Sequence, residues 1–178
     1  WYRNMIGDCS AEVVSSTVPC STKWMVGTVN SFYIGIISTA IATALGTMAA
    51  LGLSRPHMPY KPLIMSILIS PMIVPLIITA AGMFFFYARI NLVYTFTGVI
   101  LAHVALATPF VVITVTATLV GFDMNMVKAA QSLGAKPLRT FFKVIMPLIL
   151  PGIISGALFA FITSFDEVVI VMFMASID

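Results

Sequence analysis

Charged side chains are scarce in this chain, at 8% of 178 residues, with 9 Lys and Arg against 6 Asp and Glu. A soluble domain carries about 25% charged residues, which it needs to cover its surface. The shortage excludes a soluble enzyme, a nucleic-acid-binding module and a disordered segment. The net charge of +3 does not alter this, because so few basic residues cannot form a patch that follows a phosphate backbone.

Metal-ligating and phosphate-binding patterns are also lacking. The chain has 2 Cys and 2 His, which do not cluster, so no metal site is predicted. Cys9 and Cys20 would pair in an oxidising compartment, and two free thiols are an equally open alternative. No glycine-rich phosphate loop occurs, so we expect neither a nucleotide cofactor nor ATP hydrolysis by this chain.

Apolar residues dominate instead, at 60% of the chain with a mean hydropathy of +1.09. Long uncharged runs predict four full membrane spans, because each exceeds the roughly 20 residues that a bilayer requires. None of the runs alternates in polarity, which indicates helices rather than strands. We therefore expect an all-α polytopic transmembrane helix bundle forming one domain over residues 1–178, and a fragment of a longer membrane protein. The predicted spans cover residues 26–53, 63–87, 95–120 and 144–165.

The basic residues predict how the bundle is oriented. Loops 54–62 and 123–143 lie on one side and carry six of the nine Lys and Arg residues. Cytoplasmic loops are enriched in basic residues, so both loops are expected in the cytoplasm.

Small residues predict where the spans pack together, because they let helix backbones approach closely. They recur at every fourth position in the first span (Ser38, Ala42, Gly46, Ala50) and in the last (Gly152, Gly156, Ala160, Ser164). Prolines at 71 and 75 in the second span and at 147 and 151 in the last predict bends.

The loop 123–143 carries the clearest local signals. Asp123 is expected to cap a helix over residues 124–133, and Gly134 to end it in a left-handed conformation. Pro137 suits the first turn of a second helix. The pattern predicts a helix–turn–helix elbow, which fits a docking element and an amphipathic interfacial helix about equally well.

The same loop resembles the EAA loop of the inner-membrane subunits of binding-protein-dependent ABC importers. That pattern has Glu-Ala-Ala, three residues, Gly, nine residues and Ile-x-Leu-Pro. Here Ala129, Ala130, Gly134 and Pro147 stand in register, whereas Lys128 replaces the glutamate. The resemblance implies an ATPase-coupling loop that includes Lys128, Ala129, Ala130, Gln131, Ser132, Gly134, Ala135 and Pro147.

A narrower likeness, most of all in SFDEVVIVMF from Ser164, is to spermidine/putrescine-type permeases. It implies a multi-pass protein of the bacterial inner membrane that carries polyamines. Its expected partners are cytoplasmic ATP-binding subunits, a second identical or different permease subunit, and an external solute-binding protein. On this comparison the chain covers about four of six helices and lacks the first and the sixth.

Two acidic residues stand where substrate would enter. Ser164, Phe165, Asp166 and Glu167 form a candidate translocation path, since carboxylates at a membrane boundary attract cations. Asp166 is favoured, and a solvated helix end is the alternative, more so for Glu167. For His103, in the third span, a hydrogen bond to a neighbouring helix is favoured over a role in the path.

Two other functions remain as alternatives. An ion-coupled secondary transporter would place charged residues within its spans, and the four runs contain none. A membrane enzyme would need a catalytic constellation, which His103 alone does not provide.

Overall fold

The structure is a computed structural model that describes residues 23–55, 58–121, 123 and 125–174, with side chains from Met25 onward. Cys9 and Cys20 lie outside these residues. Every regular element described is helical. In chain order the helices are α1 (Lys23–Leu53), α2 (Lys61–Ile73), α3 (Leu76–Arg89), α4 (Phe96–Val120), α5 (Asn125–Ser132), α6 (Pro137–Thr140), a π-helical turn (Phe141–Ile145), α7 (Met146–Asp166) and α8 (Val169–Met174).

Within the described residues, three helices are long and apolar enough to cross a membrane. They are Met25–Leu53, Phe96–Val120 and the continuous stretch Pro137–Asp166. At about 1.5 Å per residue, each exceeds the roughly 30 Å hydrocarbon core. The all-helical membrane bundle predicted from composition is confirmed, and three of its expected spans correspond to these helices.

The second expected span, over residues 63–87, is not one continuous helix. It is divided into α2 and α3, which meet at an angle of 103°, so the bundle has three candidate spans, or four if this bent pair is one span. The break has a local cause. Pro75 has no N–H to continue the helix, and Val74 before it is extended at φ −74° and ψ 135°.

The last span also differs from its predicted start at residue 144. α6 begins at Pro137, as expected, but runs through the π-helical turn into α7 without an intervening loop. Pro147 cannot donate to the carbonyl of Lys143, and the widened turn ends at Ile145, two residues before this proline. The second arm of the elbow is therefore the first part of the last span.

The core forms where α1, α4 and α7 pack against one another. All eight residues of the two predicted small-residue rows are buried, which confirms their role in packing. A Cβ placed on Gly46 would lie 2.7 Å from Val111 Cβ, and one on Gly156 would lie 3.0 Å from Val111 Cα. These glycines bring three helix backbones together around Val111.

The short helix α8 packs against α3 and α4 at the end of the bundle remote from α5. Ile170 and Met174 are fully buried there, and the carbonyl of Met174 accepts a hydrogen bond of 2.9 Å from the amide of Tyr94. This helix therefore closes over the point where α3 turns into α4.

Candidate functional site

The residues singled out in the sequence lie at opposite ends of the bundle. The loop residues from Lys128 to Ala135 are on or just after α5, between the C-terminal end of α4 and the start of α6. Ser164 to Glu167 are at the C-terminal end of α7, beside the N-terminal ends of α1 and α4. No single site contains both groups, so two sites have to be considered.

The first arm of the elbow forms as predicted. Asp123 Oδ1 accepts a hydrogen bond of 2.9 Å from the amide of Asn125, and α5 ends at Ser132. Gly134 has φ +79°, the left-handed conformation expected of it. Its amide donates to the carbonyl of Gln131 at 2.9 Å, and the amide of Ala135 donates to the carbonyl of Ala130 at 3.1 Å. This pair of bonds is a Schellman motif, which fixes the direction in which the chain leaves α5.

The surface of this elbow is open. Lys128, Ala129, Gln131, Ser132, Gly134 and Pro147 are exposed, and Ala130 and Ala135 are half-buried. Two large apolar side chains beside the turn are almost fully exposed: Leu133 at 88% and Leu138 at 74%. Among the elements described, α5 itself packs mainly against α6 and the π-helical turn. The elbow thus presents a rigid turn flanked by apolar side chains.

A cavity of about 460 Å³ occupies the other end of the bundle, and we call it the outer cavity. Its walls come from α1, from the turn into α4 and from the segment that joins α7 to α8. The side chains that matter for its chemistry are Asn30, Ser31, Tyr94, Phe96, His103, Phe165 and Glu167. No Lys or Arg is among the described residues that line it, and Glu167 is the one carboxylate among them.

His103 and Ser164 meet at the base of this cavity. His103 Nδ1 and Ser164 Oγ are 2.8 Å apart, a buried hydrogen bond between α4 and α7. The interhelical hydrogen bond favoured for His103 is therefore confirmed. The histidine is 2% exposed, and its other ring nitrogen, Nε2, has no hydrogen-bond partner among the described residues. A buried ring nitrogen without a partner carries a free-energy cost.

Asp166 and Glu167 are placed differently. Asp166 is exposed in the last turn of α7 and is not among the residues that line the outer cavity. Glu167 is half-buried and lines the outer cavity, and its Oε1 accepts a hydrogen bond of 2.9 Å from the amide of Ile170. The role of Asp166 in the path stays a prediction, and the geometry places Glu167, rather than Asp166, at the outer cavity.

Phe165 belongs to an aromatic cluster at the same end. Its ring centroid lies 5.1 Å from that of Phe32 and 5.7 Å from that of Phe161. These contacts tie α1 to α7 beside the outer cavity. Four other residues of this end, Asn30, Ser31, Tyr94 and Phe96, were not predicted from the sequence, because no spacing within the chain connects them to residues 164–167.

The described residues contain no group of three or more His, Cys, Asp or Glu side chains that could hold a metal ion. The polar groups of the outer cavity are instead suited to hydrogen bonds with a small polar molecule.

Comparison with known proteins gives a consistent result. The family of the binding-protein-dependent transport system inner membrane component matches residues 23–178. The spermidine/putrescine transport system permease protein PotC of Haemophilus influenzae is 32% identical over 150 residues, which are 84% of this chain and 58% of that protein.

Other relatives are named for polyamine or for trehalose transport. PotC of Escherichia coli K12 is 31% identical over 145 residues, 82% of this chain and 55% of that protein. The trehalose transport system permease protein SugB of Mycobacterium tuberculosis is 33% identical over 144 residues, 81% of this chain and 53% of that protein. The chain thus spans little more than half the length of these curated relatives. With the family match extending from α1 to its last residue, this multi-pass inner-membrane chain belongs to the inner membrane components of binding-protein-dependent transport systems.

Proposed function

We propose that this chain is part of the permease subunit of an ABC importer, which forms a solute path through the membrane and is coupled to cytoplasmic ATP-binding subunits. The second permease subunit and an external solute-binding protein complete the proposed assembly. In this proposal ATP is hydrolysed by the partner subunits and not by this chain.

The observation that carries the proposal is the elbow after α4. Its alanines, glycine and proline stand in the spacing of the EAA loop, and Gly134 adopts the left-handed turn that this spacing suggests. The turn leaves Leu133 and Leu138 exposed at the end of the bundle. Exposed apolar side chains held by a rigid turn suit a protein interface, because little conformational entropy is lost when a partner covers them.

Coupling would act through the last span. Because α6 continues through the π-helical turn into α7, a displacement of the elbow would be passed along a continuous helix. The other end of α7 carries Ser164 and Glu167 at the outer cavity. The proposed ATPase contact and the proposed solute path are therefore two ends of one element.

We further propose that the cargo is a polyamine. Two relatives named as spermidine/putrescine permeases support this, and so does the outer cavity, in which Glu167 is the one carboxylate among the described lining residues. A sugar is the second candidate cargo, because the relative named for trehalose is 33% identical and one named for sulfoquinovosyl glycerol is 28% identical.

Two measurements on the importer purified from its native membrane test these proposals. Co-purification with an ATP-binding subunit is expected, and its absence from an otherwise intact complex would contradict the ABC assignment. Uptake of radiolabelled putrescine and spermidine by proteoliposomes, with trehalose compared in parallel, tests the cargo. ATP-dependent uptake of trehalose alone would leave the ABC assignment intact and overturn the polyamine proposal.

A further inference from the structure

Asp166 and Glu167 are consecutive carboxylates whose surroundings are different. Asp166 ends α7 in helical conformation, whereas Glu167 follows in an extended conformation at φ −77° and ψ 102°. This change of backbone direction gives Glu167 a half-buried position, while Asp166 stays exposed. The two side chains therefore experience different dielectric surroundings although they are neighbours in sequence.

Glu167 borders two cavities and not only the outer one. A second cavity, of about 440 Å³, lies where α2 breaks and α3 begins, and we call it the break cavity. Its walls include Val74 and Pro75 from the break, Phe110 from α4, and Glu167. Glu167 is the only described residue that lines both of these cavities.

Both cavities offer groups that accept hydrogen bonds or attract positive charge. The outer cavity has the rings of Tyr94, Phe96 and Phe165, whose faces attract cations. The break cavity adjoins the C-terminal end of α2, where the last carbonyl groups of a helix have no amide to follow them. Ends of interrupted helices that coordinate cations are known from other transporters.

The carboxylate of Glu167 has hydrogen-bond acceptor positions that no described residue occupies. One of its oxygens, Oε1, accepts from the amide of Ile170 and so holds the start of α8 in place. An ionised carboxylate has about four acceptor positions, so this bond leaves Oε2 able to accept from a second donor. The capping bond also fixes the carboxylate between the two cavities.

We propose that Glu167, and not Asp166, is the carboxylate that binds an alkylammonium group as it passes from the outer cavity to the break cavity. This inference rests on the proposed function, because it assigns one step of the solute path. A primary ammonium group has three N–H donors. Glu167 Oε2 accepts one of them, and the rings of Tyr94, Phe96 and Phe165 add attraction for the same positive charge.

The first test measures the charge that the cavity presents, without relying on transport. Asn30 lines the outer cavity and is changed to Cys in the assembled importer, with Cys9→Ser and Cys20→Ser as background. The rate at which this thiol is modified is measured with a trimethylammonium methanethiosulfonate and with a neutral one. In Glu167→Gln the ratio of the two rates is expected to fall roughly five-fold. In the matched control Asp166→Asn it is expected to change less than about two-fold, because that exposed charge is screened by water.

Glutamine suits this test because its side-chain oxygen can still accept from the amide of Ile170, so the cap of α8 is kept while the charge is lost. An equal fall of the ratio in both variants, or a larger fall in Asp166→Asn, would overturn the assignment. A second measurement needs no change at position 167: in Asn30→Cys, spermidine is expected to protect the introduced thiol from the neutral reagent, and trehalose is not. Absence of protection by spermidine in an importer that transports it would also overturn the assignment.

Transport separates a failure of this inference from a failure of the proposed function. Where the parent importer transports spermidine, Glu167→Gln is expected to lower the maximal uptake rate about tenfold, and Asp166→Asn to leave it within about two-fold. Equal uptake by both variants contradicts the role of Glu167. A parent importer that transports no polyamine contradicts the proposed cargo, while the ratio of modification rates still reports which carboxylate faces the cavity.

Discussion

The two ends of the helix bundle differ in how their candidate functional residues are placed. At the end with α5, apolar side chains project outward, as Leu133 and Leu138 do, and the polar backbone groups are satisfied by the Schellman turn. At the other end, polar groups are enclosed: His103 and Ser164 bond to each other inside the bundle, and Glu167 borders two cavities. The first arrangement suits contact with another protein, and the second suits binding of a small polar molecule.

The tightly packed middle connects these ends. Around Val111 the glycines of α1 and α7 leave no room for a further atom. Because the helices are closely packed there, α7 is expected to move as one unit along its length. We therefore expect three classes of variant. One disrupts the packing of α1, α4 and α7, which we call the scaffold; one alters the elbow and leaves the scaffold intact; and one alters the outer cavity and leaves the scaffold and the elbow intact.

The largest effect is expected from Gly156→Leu, which destroys the scaffold. A Cβ at this position would already lie 3.0 Å from Val111 Cα, so a larger side chain must push α4 and α7 apart at a cost of about 1–3 kcal/mol or more. The thermal midpoint and the yield of the assembled importer should both fall. Gly82→Leu is the matched control, because Gly82 is exposed and a Cβ added there would meet no heavy atom within 4 Å. Equal stability of the two variants would contradict the packing described here.

The next effect is expected from Gly134→Val, which alters the elbow and not the scaffold. At φ +79° a β-branched side chain costs roughly 1–2 kcal/mol, and the turn after α5 should change direction. We expect normal assembly with uptake per ATP hydrolysed reduced roughly 5–30-fold. Asparagine tolerates the left-handed conformation, so the Gly134→Asn variant should keep most of the uptake. Normal coupling in Gly134→Val would argue against a role for this turn.

A smaller effect is expected from His103→Leu at the outer end. The substitution leaves the buried hydroxyl of Ser164 without its partner, at a cost of about 1–3 kcal/mol. Uptake should fall together with a modest loss of thermal stability, and coupling to ATP hydrolysis should be unaffected. Ser164→Ala combined with His103→Leu should recover part of the stability but not the uptake. Recovery of both would mean that the pair serves only to hold α4 to α7.

Labelling from the two sides of the membrane tests which end of the bundle faces the cytoplasm. The labelled variants are expected to keep their activity. Asn91 and Leu138 are exposed at opposite ends, and the basic loops predict Leu138 in the cytoplasm and Asn91 outside. Single cysteines at these positions, with Cys9 and Cys20 replaced by Ser, should react with an impermeant maleimide only from the predicted sides. The opposite pattern would reverse the orientation and assign the outer cavity to the cytoplasm.

Much of the packing could be predicted from the sequence because it depends on local periodicity. Small residues four positions apart must share one face of a helix, and the structure buries all of them. The turn at Gly134 was equally predictable, since its cap and its glycine lie within one short segment.

The break between α2 and α3 could not be predicted from a local sequence pattern. Prolines at 71 and 75 predict bends, but membrane helices often continue through proline, and α2 itself continues past Pro71. Only the extended conformation of Val74 separates the two helices by 103°. The difference between Asp166 and Glu167 was hidden for a related reason, because it depends on the residue at which α7 ends. The walls of the outer cavity come from segments far apart in the chain, and no local pattern links them.

The central claim is that the elbow after α4 is the contact with an ATP-binding subunit. Leu133→Cys, in the background without Cys9 and Cys20, places a thiol at the most exposed apolar position among the described residues of that elbow. In inner-membrane vesicles a short bifunctional thiol- and amine-reactive reagent should cross-link it to the ATP-binding subunit, whereas Asn91→Cys at the opposite end should give no such product. A cross-link from position 91 and none from position 133 would contradict this assignment.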